Sequence, residues 1–210
     1  MDTAERIKYW AREIKSLSQT GLAYGKDQFD QERYLKLNDL AVEMLSYISG
    51  QEKVTINQLL PIEQGYHTPK VAVRGLVIHN DKLLMVKEAA DGLWCLPGGW
   101  CDIGLTASEN IEKEIYEETG LKTKAVRLLA LYDQTKKRPS ITMQHIYNAY
   151  FLCEMVEGDS GELRGSKETE DVQFFSYSSL PPLSLERMSA EQLDMAMSVA
   201  FSDTNSAYFD

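Results

Sequence analysis

Over residues 3–17 the apolar side chains Ile7, Trp10, Ile14 and Leu17 recur at intervals of three and four, the spacing of one helix face. The same interval returns after Phe29, at Tyr34, Leu37, Ala41, Met44 and Ile48. Two amphipathic helices are predicted, the first ending near Gly21, the second starting within residues 27–30 and ending near Gly50. A third, short helix is expected over 56–60, ahead of Pro61. Residues 1–62 read as a small all-helical module. Pro61, Gly65 and Pro69 then mark a linker, and residues 63–210 form a second domain.

In that second domain the periodicity changes. Residues 71–78 and 82–87 are short runs rich in β-formers, joined through His79-Asn80-Asp81, and predict a hairpin. Residues 125–134, 145–154 and 172–176 are further strand candidates, and 190–201 is helical again. No internal repeat interrupts the pattern.

Composition narrows the function classes. A formal net charge of -10 argues against a broad basic face for gripping duplex nucleic acid, but permits a small anionic ligand held through divalent cations. No stretch reaches the apolar length of a membrane span. The first 20 residues are charged and amphipathic, unlike a secretory leader, so the expected address is the cytoplasm. The three cysteines, Cys95, Cys101 and Cys153, lack paired metal-ligand spacing and are expected to be buried free thiols.

The densest chemistry lies in LPGGWCDIGLTASENIEKEIYEETGL, residues 96–121. Thr106 to Glu109 reads as a capping box that starts a helix at about Ala107, and Gly120 fits the left-handed position that ends one. Along this helix Glu114, Glu117 and Glu118 stand at i, i+3 and i+4, on one face, with Ile111 and Ile115 beside them facing a core. Carboxylates sheltered next to an apolar stripe are costly when ionised and unpaired. A hard divalent cation with oxygen ligands removes that cost; the alternative is a solvated acidic face. Gly98 and Gly99, just upstream, let a backbone or a phosphate come close.

Gly99 to Leu121 resembles a Nudix box, G-x5-E-x7-R-E-U-x-E-E-x-G-U with U apolar. Gly99, Glu114, Ile115, Glu117, Glu118, Gly120 and Leu121 match in register, while Leu105 replaces the first acid and Lys113 the arginine. In the family those two positions resemble an ion pair that orients the metal-binding glutamates. A helical segment ahead of the box, together with the run DGLWCLPGGWCDIG and the later ETEDVQFF and LPPLS, resembles the subgroup of Nudix hydrolases with an N-terminal helical domain, typified by bacterial CDP-choline pyrophosphatases and often labelled ADP-ribose pyrophosphatases.

The resemblance implies an α/β/α sandwich with a mixed sheet behind the helical module. It implies Mg²⁺ or Mn²⁺ on Glu114, Glu117 and Glu118, and hydrolysis of a nucleoside diphosphate linked to another moiety. CDP-choline, giving CMP and phosphocholine, is the favoured substrate on this resemblance and ADP-ribose the alternative. Glu117 and Glu118 then serve catalysis directly, and Glu168, in the loop where relatives supply a general base, is a candidate for that role. A Nudix-like ligand sensor is the competing reading, disfavoured because all three metal positions are present and only 28 residues follow Pro182.

Other residues keep two readings each. Arg74 on the first strand either pairs with a nearby Glu or meets a substrate phosphate. Trp94 and Trp100 bracket the glycine turn and either stack a base or fill a core, and Lys87 and Glu88 read as surface residues. The basic run 134–138, including Lys136 and Arg138, is either a solvated loop or a lip that steers anions. No histidine has a triad partner. The apolar stripe of the module needs a cover, and a homodimer interface is the expectation.

Overall fold

The computed structural model describes residues 2–63, 65–137, 143–158 and 161–210, and the side chain of Lys136 is not among those described. Two compact units result, one of residues 1–69 with 134–145, the other of 70–133 with 146–210.

The first unit holds α1 (Thr3–Tyr24), α2 (Gln28–Ser49), α3 (Lys53–Leu59) and the four-residue α5 (Gln134–Lys137). Asp2 and Glu5 form a capping box at the start of α1, and Asp27 caps α2. Gly21 does not end α1. A Cβ there would lie 2.4 Å from the Tyr34 ring, so the glycine lets α2 approach within the helix, at the usual propensity cost of about 1 kcal/mol. The buried face is also rotated from the expected one. Ala11, Lys15, Ser18 and Gln19 of α1, and Asn38, Ala41, Val42 and Leu45 of α2, are buried, with Lys15 Nζ donating to Asn38 Oδ1 at 2.9 Å. Trp10 and Leu17 remain 50% and 67% exposed. Of the apolar stripe seen in sequence, Trp10 and Leu17 on α1 and Leu37 on α2 are thus left exposed, while Ile7, Ile14, Tyr34, Met44 and Ile48 are half-buried and Ala41 is buried.

The second unit holds β1 (Lys70–His79), β2 (Lys82–Glu88), β3 (Trp94–Cys95), α4 (Ala107–Thr119), β4 (Thr123–Asp133), β5 (Ile146–Met155), β6 (Thr169–Ser176), α6 (Ala190–Ala200) and β7 (Tyr208–Phe209). Its mixed sheet runs β3-β2-β1-β5-β4-β7, with β6 also pairing β2. β1 is parallel to β5, and β5 antiparallel to β4. The hairpin turns on Asn80 and Asp81, both at positive φ, as a two-residue loop requires. Ile111 and Ile115 of α4 are fully buried in the core built from β1, β2, β4 and β5, as their spacing predicts.

Departures from the sequence reading are local. β3 and β7, two residues each, are too short to carry a period. Residues 134–137 are a helical turn rather than a loop. Glu88 is 6% exposed, not a surface residue; Cys95 Sγ donates to it and Arg187 pairs with it at 3.1 Å. Cys95 and Cys153 are buried free thiols, whereas Cys101 is only partly buried. Among the described residues no helix is long and apolar enough to cross a membrane.

Candidate active site

The segment ahead of α4 is stitched to β1 by backbone hydrogen bonds. Gly75 N donates to Pro97 O, Val73 N to Gly99 O, and Cys101 N to Val71 O, at 2.9–3.0 Å. Room for this contact depends on Gly98, where φ is 145° and a Cβ would lie 2.1 Å from Val73 O. Beneath the turn Arg74, 5% exposed, donates from Nη1 to Gly98 O at 2.7 Å and to Leu96 O at 3.3 Å. Arg74 is thus a clamp on the loop, neither ion-paired as expected nor open to a substrate phosphate.

α4 begins at the expected capping box of Thr106 and Glu109 and ends at Gly120, φ 80°. Its glutamates do different work. Glu112 accepts from Ala125 N at 3.0 Å and from Lys124 Nζ at 2.9 Å, tying the helix to β4. Glu118, 7% exposed, accepts from Gly98 N at 2.9 Å, and burial pushes its carboxyl up to about 8 against the partial relief of that bond and of Arg74. Glu114, with its side chain 16% exposed, is also raised, first by burial. It lies so close under Gly99 that a Cβ there would meet its Oε2 at 2.6 Å. Glu117 is the outermost, its side chain 55% exposed.

Lys113 stands among them. Its Nζ lies 2.9 Å from Glu117, 3.2 Å from Asp102 and 3.6 Å from Glu114, and these partners, Glu117 first, hold its pKa up. Among the described residues no three carboxylate, thiol or imidazole side chains converge on a common ion position as they stand. The donor set nevertheless suits a hard cation: oxygen only, two carboxyls desolvated, and no cation bonded to Glu118.

The remaining candidates are scattered. Trp94 is 8% exposed, edge-on to Phe175 with centroids 4.7 Å apart; as a core residue it has no open face for a base. Trp100 is 49% exposed. Glu168 is exposed in a turn whose backbone carbonyl accepts from Ala89 N, and neighbouring Thr169 donates to Glu118 O at 3.1 Å. Arg138 and the Lys136 side chain lie outside the described residues. Sequence reasoning missed Asp102 and Asn110. The amide of Asn110, fully buried in the first turns of α4, bonds Asp102 N at 2.8 Å and Thr106 O at 3.1 Å; an Asn four residues after the N-cap Thr106 was the available signal.

Residues 68–196 match the NUDIX domain, and residues 5–60 match a domain described as UDP-X-like, N-terminal oligomerisation domain. The chain is 42% identical over 185 residues, 88% of each protein, to the Bacillus subtilis protein named "Putative ADP-ribose pyrophosphatase YjhB". Among solved structures, an ADP-ribose pyrophosphatase from Streptococcus suis is 38% identical, with TM-score 0.60, over 68% of this chain and all of that one. A UDP-X diphosphatase is 31% identical, with TM-score 0.63, over 99% of both chains. The chain belongs to the Nudix hydrolase family, in the group that carries an N-terminal helical domain, and is a pyrophosphohydrolase acting on phosphorus-containing anhydrides.

Proposed function

We propose that the enzyme splits the pyrophosphate of ADP-ribose into AMP and ribose 5-phosphate, using Mg²⁺ or Mn²⁺ held by Glu114, Glu117 and Glu118. Nudix hydrolases generally work with divalent metals. The observation that carries the reading is the buried Glu118 carboxyl, bonded to Gly98 N beside a loop that has no side chain at two successive positions. A bound divalent cation neutralises the pyrophosphate and acidifies the attacking water. The chain's own part is placement, which phosphoryl transfer mainly needs. Arg74 and the β1 contacts hold the 97–101 segment, Gly98 and Gly99 let that segment lie directly against Val73 O and the Glu114 carboxyl, and α4 presents the acids. Glu168 is our candidate to take the proton of the attacking water.

ADP-ribose ranks first because two similar proteins bear that activity in their names. A pyrimidine nucleotide is the second reading, supported by the end-to-end likeness to a UDP-X diphosphatase; CDP-choline, favoured on sequence alone, belongs to it. Residues 63–210 act as the hydrolase domain. Residues 1–62 serve as a homodimerisation module, supported by the matched oligomerisation domain and the exposed Trp10 and Leu17. The free cysteines fit a reducing cytoplasm. The deciding experiment is a panel of ADP-ribose, CDP-choline, UDP-glucose, ADP-glucose and NADH at fixed Mg²⁺, with products resolved by chromatography. AMP and ribose 5-phosphate formed fastest supports the reading; preferential release of UMP or CMP moves it to the pyrimidine class.

A further inference from the structure

Lys113 is a cation seated on two of the three proposed metal ligands. Its ammonium touches Glu117 and approaches Glu114, and of its three carboxylate partners only Asp102 stands outside the proposed ligand set. For Glu114 and Glu117 to close on a dication, the ammonium has to leave them, because two cations sharing the same carboxylates repel. Asp102 is already within 3.2 Å, on a backbone that is held in place. Its backbone N–H is bonded to the fully buried Asn110, which also holds the carbonyl of Thr106 and so anchors the loop to the helix. Position 105, three residues further along the loop, is an exposed leucine and offers Lys113 no charge.

We propose that Asp102 is a positioning residue that draws Lys113 aside and frees Glu114 and Glu117 for the divalent cation. It touches neither substrate nor metal and acts through Lys113. This rests on the metal reading above and names the group that regulates access to that same site.

The test is a double-mutant cycle read by Mn²⁺ binding, using electron paramagnetic resonance of free Mn²⁺ with no substrate present. Five full-length proteins are compared, wild type, Asp102→Asn, Asp102→Glu, Lys113→Gln and the Asp102→Asn/Lys113→Gln double variant, each confirmed folded by circular dichroism. Asp102→Asn is expected to weaken Mn²⁺ binding about two- to fivefold, the scale of a partly exposed ion pair, and Asp102→Glu to restore it. In the Lys113→Gln background the same Asp102→Asn change is expected to have almost no effect. An equal loss in both backgrounds would mean that Asp102 acts only as a distant negative charge, and would overturn the proposal while leaving the metal site intact. Failure of wild type to bind Mn²⁺ at millimolar concentration would overturn the metal reading and this proposal with it.

Discussion

Gly98 and Glu118, twenty residues apart, are joined by a hydrogen bond from the glycine N–H to the carboxylate Oε2 at 2.9 Å. The bond fastens the Gly98-Gly99 loop to the helix that presents the acids, so loop and helix form one piece.

That coupling predicts the outcome of Gly98→Ala. A methyl group would sit 2.1 Å from Val73 O, against backbone rather than a yielding side chain. Relieving the overlap forces a backbone shift costing about 1–3 kcal/mol. Gly104→Ala is the control: its φ is 93° but nothing lies within 4 Å, so it carries only the left-handed penalty, about 1 kcal/mol. Urea unfolding should rank the two in that order, and only Gly98→Ala should also depress turnover.

Glu112 separates the structural from the chemical glutamates. It accepts two hydrogen bonds from β4 residues and none from the glycine loop. Glu112→Gln should cost about 1 kcal/mol of stability and leave kcat within twofold at a temperature where the variant is fully folded. A large kcat loss there would place the chemistry on the wrong acids.

Burial sets a pH dependence for the metal-free protein. Glu118 titrates at about 8 when folded against an ordinary 4.5. Its folded value lies above its unfolded one, so this contribution to stability is complete below about pH 4.5, declines as pH rises, and is gone above about pH 8. In chelator, the melting temperature of wild type relative to Glu118→Gln should fall from about pH 5 to about pH 8.5. Added Mg²⁺ should reverse the loss at the alkaline end, because a cation stabilises the ionised carboxylate.

The helical module should associate. Trp10 and Leu17, seven residues apart on α1, are 50% and 67% exposed and share one face. Light scattering of the full chain should give a dimer at micromolar concentration, and Trp10→Asp with Leu17→Asp should give a monomer. A wild-type monomer would remove this part of the account.

What could be read in advance followed from local chemistry. The capping box at Thr106, the stop at Gly120 and the buried Ile111 and Ile115 depend on neighbours within a turn or two, and the chain shows them directly. Gly21 was misread as a stop because its role depends on Tyr34, thirteen residues on. The face of α1 was misplaced because Lys15 and Asn38 satisfy each other in the helix interface, which polarity alone argues against. Arg74 and Glu88 were assigned to the wrong surroundings for the same reason: their partners, Gly98 and Cys95, meet them through sheet packing or a turn, while Trp94 took the core-filling one of its two readings, edge-on to Phe175. Nor does spacing reveal that Asp102, eleven residues before Lys113, comes back to it across the N-terminus of α4.

The central claim is that Glu117 and Glu118 hold a catalytic cation rather than forming a solvated acidic face. The direct test is kcat on ADP-ribose, or on whichever panel substrate is cleaved fastest, for Glu117→Gln and Glu118→Gln in metal-saturated buffer with folding confirmed. The account predicts a loss on the order of a hundredfold or more for each, the scale of removing a charge that acts in the transition state, and complete loss of wild-type turnover on exhaustive chelation. Turnover within a few-fold of wild type for both variants, or wild-type hydrolysis that persists in chelator, would contradict it.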